Sequence, residues 1–380
     1  MTVRDTCHRA AAIAVMQISL LAPLLPAQSG PLPDQTAVRT AVIPLVNDGT
    51  IRGIALGWSE RGAFRSTGVG AVFARGAAVD AATRFDLGDA GEVLTAALLA
   101  NLVARGEVSL DDLAQQFLPP TVVLPHRAGR AITLGDLAFH RSGLPNLRPR
   151  TARSPTEGIA QALNGTALRF DIGSRYAFSQ LGIDILGLAL AHHLRAPLTD
   201  AIRRRILAPL GVVDIVSADA RRFAGRDAIG HADTGVALAT SSRTAGAWRG
   251  SVDGVLRFVT AASDTVNGPL ASTFALMMRT RSLGPDPALP VALGWRVLRV
   301  DGRDIYWHDA QDAPGFSDYF ALDPSRGRAV AVLSNTAKPV DAIAGALLLG
   351  RVPAVTRASR SASRAAPAHA RPPHRRPGRR

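Results

Sequence analysis

Apolar and polar positions alternate near both ends of the chain, with turn-forming residues between the alternating runs. Residues 53 to 72, GIALGWSERGAFRSTGVGAV, read as two strands around the turn Ser59-Glu60-Arg61-Gly62. Towards the other end, LGWRVLRVDGRDIYWHD (293 to 309) turns on Asp301-Gly302, and SDYFALDPSRGRAVAVLSN (317 to 335) turns on the segment from Asp323 to Gly327. These five or so strands predict one antiparallel sheet assembled from both chain ends. The middle has a different period. Ser154-Pro155-Thr156-Glu157 combines a cap, a first-turn proline and a first-turn acid, and Thr133 to Asp136 forms a looser capping pattern. SQLGIDILGLALAHHL (179 to 194) is apolar around most of its circumference, which predicts a buried helix. Helices set against such a sheet predict an α+β (mixed α/β) fold, with a helical subdomain inserted roughly over residues 110 to 280.

Composition refines the boundaries. The 380 residues are 47% hydrophobic, enough to bury one large core or two closely joined ones. The first thirty run from a basic start through an apolar stretch, Ala10 to Leu25, to the small residues Ala27 and Ser29. This predicts a signal peptide over residues 1–29, a mature domain over 30–350 and an exported protein, periplasmic or extracellular. The single cysteine, Cys7, lies in that leader, so the mature chain is expected to have neither disulfide nor thiol chemistry. The net charge of +14 at first suggests a polyanionic partner. Nine of the arginines, however, fall with no acid in residues 351–380, leaving only +5 for everything before. That tail is rich in Arg, Pro and Ala and lacks apolar periodicity, so it is expected to be disordered and to make surface contacts. No aromatic residue interleaves its charge, and nucleic acid is not expected as a partner. Only Lys338 among the 44 basic residues is a lysine, so any lysine-dependent chemistry has one candidate.

Four stretches carry a resemblance. RFDLGDAGEVLTAALLANLVARGEVSLDDLAQQFLP (84 to 119), LAFHRSGLP (137 to 145), RYAFSQLGIDILG (175 to 187) and the words between residues 293 and 335 resemble, in order, the landmarks of the serine β-lactamase and penicillin-binding protein superfamily, in its class C and esterase-like branch. The resemblance covers roughly residues 38 to 348. It implies a β-lactamase/transpeptidase-like fold whose cleft lies between the sheet and the helical subdomain.

The same resemblance shows where the chemistry departs. Family enzymes use a Ser-x-x-Lys turn at a helix start, a Tyr-x-Asn motif and a Lys- or His-x-Gly strand. Here these stand as Asp89-Ala90-Gly91-Glu92, Phe178-Ser179-Gln180 and His308-Asp309-Ala310. Asp89, Glu92, Phe178, Gln180, His308, Asp309 and Ala310 are therefore expected to line or adjoin a degenerate cleft with no intact catalytic set. No Gly-x-Ser-x-Gly elbow replaces the missing nucleophile, and Asn335, not serine, stands three residues before Lys338.

Read by themselves, Asp89 and Glu92 form a capping pattern, an acid at the helix start with a second acid three residues on. The rival reading makes them a working carboxylate pair with His308, for acid-base hydrolysis or for holding a cation. Tyr176, two residues before Phe178, is a candidate substitute phenol, and His140, in a landmark near the site, is expected to be structural rather than catalytic. No cofactor and no metal is expected. The expected function is that of a secreted pseudoenzyme binding a peptidoglycan-like, β-lactam or ester ligand. The alternatives are an active hydrolase of β-lactams, D-Ala-D-Ala peptides or esters by a non-standard mechanism, and a surface attachment protein acting through its tail.

Overall fold

The computed structural model describes residues 32–354, apart from 74–75, 150–151, 221–225, 233–235, 239–247, 280–289 and 311–312. The leader expected over 1–29 lies outside the described residues, as does the expected tail from residue 355 onward.

Helix α1 (Gln35–Asn47) precedes the hairpin β1 (Gly53–Glu60) and β2 (Ala63–Gly70). A short strand β3 (Arg84–Asp86) leads through a 3₁₀ turn, Gly88–Ala90, into α2 (Gly91–Ala104). Then follow α3 (Leu134–Ala138), α4 (Pro155–Leu163), α5 (Gln180–Leu194) and α6 (Leu198–Ile202). After them come the short strands β4 (Val216–Ser217) and β5 (Trp248–Ser251) and the helices α7 (Val252–Ala262) and α8 (Ala271–Met277). Strands β6 (Val291–Ala292), β7 (Trp295–Val300), β8 (Arg303–Ala310), β9 (Ser317–Asp323) and β10 (Arg328–Ser334), then α9 (Asp341–Leu348), complete the chain.

The main sheet is antiparallel, in the order β2-β1-β10-β9-β8-β7-β6, so the first hairpin joins the last strands through the β1–β10 pair. Its turns fall at Arg61-Gly62, Asp301-Gly302 and Asp323 to Gly327, where the sequence places them. The sequence reading passes over the two-residue β6 and over a second, three-stranded sheet, β3-β5-β4. These strands are two to four residues long, too short to show a period.

Both faces of the sheet are covered, and side-chain size sorts the faces. On β1 and β10, Ile54, Leu56, Trp58, Val330 and Val332 enter one core with Val38 and Val42 of α1 and Ile343 and Leu347 of α9. The alternate positions, Ala55, Ala329, Ala331 and Leu333, enter a second, larger core beneath the helical part. Small residues on this second face let α7 pack close: a Cβ at Gly57 would lie 3.2 Å from both Leu256 and Val252 side chains. Helix α2 is buried almost all round, from Gly91 to Leu102, and forms the axis of the helical side. No helix among the described residues is long and apolar enough to cross a membrane.

Candidate functional site

A cleft opens where the N-terminus of α2 meets the segment after α3, the approach to α5, and strands β7 and β8. Its lining includes Glu92, His140, Tyr176, Phe178, Trp295, Arg296 and His308.

The start of α2 does not form the capping pattern the sequence suggests. The 3₁₀ turn runs directly into the helix, so the N-cap is Ala90, with helical dihedrals (φ −58°, ψ −19°) and no side-chain capping bond. Glu92 therefore sits in the first turn at the second helical position and does not reach back to a cap. Its side chain is buried and turns into the cleft, where Oε1 lies 2.9 Å from His140 Nε2. The other oxygen, Oε2, has no hydrogen-bond partner and lies 3.8 Å from His308 Nε2, too far for a hydrogen bond.

The end of α3 explains how His140 reaches this point. The N–H of Arg141 donates to Asp136 O at 2.8 Å and that of His140 to Leu137 O at 3.2 Å, the double closure of a Schellman motif. The motif needs a left-handed residue after the cap. Glycine usually fills that place, but here it is His140, at φ +53°. Its ring is held at both nitrogens. The N–H of Ser179 donates to Nδ1 at 3.2 Å, which places the ring proton on Nε2, aimed at Glu92. The ring thus ties α3, α5 and α2 together, a structural role, and it lines the cleft, near the site where the sequence reading places it.

Burial by itself would raise the Glu92 carboxyl. The attraction of His140, its hydrogen bond, and then the contacts with His308 outweigh that effect and hold the group well below the usual carboxylate range. Glu92 is therefore an anion at neutral pH and, tied to His140, a poor proton acceptor. Tyr176, the substitute phenol, is pushed the other way: burial raises its hydroxyl to about 12, against a smaller opposing pull from Arg296. It keeps its proton at neutral pH, which makes it a poor general base.

The remaining positions separate. Phe178 lines the cleft beside His140, with ring centroids 4.8 Å apart. His308 lines it from β8, its ring stacked on Phe320 at 5.6 Å. Gln180 turns away from the cleft: its Nε2 donates to Asp184 Oδ1 at 3.0 Å, one turn along α5. Asp309 pairs with Arg296, whose guanidinium also lies 4.9 Å from the Trp307 ring centroid. Ala310 is buried at the end of β8. Asp89 lies in the 3₁₀ turn before α2. His231 is buried with Nδ1 3.2 Å from Asn335 O.

Sequence reasoning also missed Trp295 and Arg296, although both stand in the quoted word LGWRVL. The glycine of that word is required by geometry. Gly294 has φ +74°, and a Cβ there would lie 2.6 Å from the Ala96 Cβ on α2. Its bareness is what lets the cleft edge of the sheet approach α2.

The profile of the family described as Beta-lactamase matches residues 38–352. The chain is 26% identical over 324 residues to penicillin-binding protein 4 of Amycolatopsis lactamdurans, covering 78% of this chain and 80% of that one. It is 34% identical over 130 residues to the D-alanyl-D-alanine-carboxypeptidase/endopeptidase AmpH of Escherichia coli K12; this match takes in 32% of the chain and spans about a third, 34%, of that relative. Among solved structures, a β-lactamase/D-alanine carboxypeptidase from Pseudomonas syringae superposes with a TM-score of 0.71 at 18% identity, over 83% of this chain and 98% of that one. The octameric penicillin-binding protein homologue from Pyrococcus abyssi superposes with a TM-score of 0.72 at 20% identity, over 84% and 78%. The antiparallel sheet drawn from both chain ends, the cleft between it and the helical side, and a profile match across most of the sequence agree: this chain belongs to the beta-lactamase family.

Proposed function

We propose that this protein is an exported, non-acylating member of its family, whose cleft binds a ligand without turning it over. The observation that carries this reading is the buried Glu92 carboxylate held against His140, at the position where the family's Ser-x-x-Lys turn supplies an amine. Acyl transfer by that route needs a hydroxyl nucleophile and a nearby base that can take its proton. The sequence supplies Asp at 89 and Glu at 92, and Phe178 brings no phenol. A carboxylate beside the helix start also opposes the negative charge that builds on an acyl-transfer oxyanion. Losing a nucleophile alone costs about a million-fold in rate in hydrolases of comparable logic, and here the bases are changed with it.

The test is covalent labelling of the purified mature chain by a fluorescent penicillin and by a fluorophosphonate, with turnover of nitrocefin and p-nitrophenyl esters measured alongside. No label and no turnover above buffer are expected. Stable label within residues 30–350 would overturn the reading in favour of the hydrolase that the names of the relatives suggest. The export component rests on the leader-like first segment and is read by fractionating cells that make the full chain.

A further inference from the structure

We propose that the surface beside the cleft, formed by Arg127, Arg130, Arg141, Arg169 and Arg175, is a docking face for a linear polymer of phosphate groups. The inference goes beyond the reading of the cleft and stands whether or not the cleft acylates.

The charge distribution points to it first. With nine arginines in residues 351–380, the chain before them carries +5. Residues 126–175 hold eight arginines against three acids, a net +5, so this one stretch accounts for the whole excess and the rest of residues 1–350 is balanced.

The fold then gathers five of these arginines. The N–H of Gly173 donates to Arg141 O and that of Arg169 to Gly143 O, both at 2.8 Å, so residues 141–143 run alongside 169–173. Arg127 and Arg130 join from a turn earlier in the chain: Arg127 Nη1 donates to Leu168 O and Arg130 Nη1 to Ile172 O, both at 2.7 Å. The Arg175 guanidinium lies 4.5 Å from the centroid of the Phe170 ring in the same segment. Two acids share the surface. Asp171 pairs with Arg127, and the buried Asp136 is shared by Arg130 and Arg141. Five positive charges against two negative leave +3. Arg169 and Arg175 are exposed and have no acidic partner among the described residues.

Energetics set the form of the partner. One exposed ion pair gains only about 0–1 kcal/mol, so this open face cannot hold an isolated anion tightly, and several anions must arrive linked. The guanidinium fork matches the paired oxygens of a phosphate, and a phosphate chain releases its condensed counterions as it docks. Arg141 follows His140 and Arg175 precedes Tyr176, and both neighbours line the cleft, so a polymer held here lies along the cleft rim. No bond is made or broken.

The experiment treats the full mature chain with phenylglyoxal, which modifies accessible arginines, with and without long-chain polyphosphate, and maps the adducts by mass spectrometry. Protection of Arg169 and Arg175 is expected, with none at the exposed Arg65 of β2 and Arg204 after α6. Affinity for labelled polyphosphate should fall about ten-fold in Arg169→Gln/Arg175→Gln, and the slope of log affinity against log salt should become shallower by about two. Removing the same charge by Arg65→Gln/Arg204→Gln should leave both near wild type. Protection confined to residues 351–380, equal weakening by the two double variants, or equal protection by orthophosphate at the same phosphate concentration would each overturn the proposal. Phosphatidylglycerol vesicles that protect Arg169 and Arg175 where polyphosphate does not would assign the face to a membrane and overturn it as well. The wild-type footprint decides even if a variant does not fold. Covalent labelling by penicillin would defeat the non-acylating reading without altering this footprint, and failure of the footprint leaves the labelling result standing.

Discussion

Two helices present their N-termini near one another, and the family's catalytic words are altered at both, yet the consequences differ. At α5, Ser179 accepts from the Gly182 N–H at 3.0 Å and donates to Pro145 O at 3.0 Å, so the cap is complete. The neighbouring Gln180 folds back onto Asp184 of its own helix. At α2 there is no side-chain cap, and Glu92 crosses to another element for its one close partner while its second oxygen stays unpaired. Both replacements keep one buried oxygen without a hydrogen bond, Gln180 Oε1 and Glu92 Oε2, but at α5 that oxygen is neutral and its amide nitrogen bonds within the same helix, whereas at α2 it belongs to a carboxylate held by another element. Loss of a catalytic word therefore does not by itself say whether a cleft has become inert. That depends on where the replacement side chains find their partners.

The strongest way to break this contrast is to restore the family's charge at 92 by itself. Glu92→Lys sets an ammonium against the Nε2–H of His140 and removes that donor's only acceptor at the cleft. Breaking a buried pair in this manner costs about 3–5 kcal/mol. A matching loss in urea-unfolding free energy is expected. Full retention of stability would mean that Glu92 is not integral to the floor. The triple change Asp89→Ser, Glu92→Lys and Phe178→Tyr tests the fold rather than the pair. It should permit ester hydrolysis only as far as Gln180, which now faces Asp184, can be recruited back to the cleft.

The acid limb of stability sharpens the comparison at smaller scale. The Glu92 carboxyl is depressed in the folded protein relative to its ordinary value of 4.5. The unfolded chain therefore binds the proton more readily, and the stabilisation is fully present above that value and is lost as pH falls through and below it. Between 4.5 and one pH unit lower, the slope from this group approaches about 1.4 kcal/mol per unit. Because other carboxylates titrate in the same range, the measurement is the difference between wild type and Glu92→Gln across a pH series of unfolding curves. The two curves should converge as pH drops; parallel curves would contradict a depressed Glu92 carboxyl.

The sequence made the scaffold readable where chemistry is local. Asp301-Gly302, Pro155 behind Ser154, and Thr133 with Asp136 specify turns and caps within four residues of themselves, and each stands in the structure as the pattern implies. The Gln180–Asp184 bond was legible in principle, since residues four apart share a helix face. What was not legible is the partner of Glu92. His140 is 48 residues away, and it points into the cleft only because α3 ends on a left-handed histidine. Spacing alone assigned Glu92 to a cap. The actual cap moved to Ala90 because the preceding 3₁₀ turn keeps helical dihedrals, a detail of backbone continuation with no residue signature. Nor could the pattern show that Tyr176 is buried deeply enough to raise its hydroxyl rather than lower it.

The smallest effect expected comes from the satisfied helix start, and its specificity is what gives it value. Ser179→Ala removes the cap of α5 and the bond to Pro145, at a cost of about 1 kcal/mol. It leaves untouched the backbone N–H that fixes the His140 tautomer, because that donor belongs to the main chain. Stability should therefore fall slightly while the pH dependence that Glu92 contributes stays as in wild type. Glu92→Gln should do the reverse in kind, since a neutral amide can still accept from His140 but does not titrate. If Ser179→Ala abolished that pH dependence as Glu92→Gln is expected to, the two helix starts would be one coupled unit, and the distinction between them would fail. If it leaves that dependence intact, the acid limb belongs to the one carboxylate that α2 holds against His140.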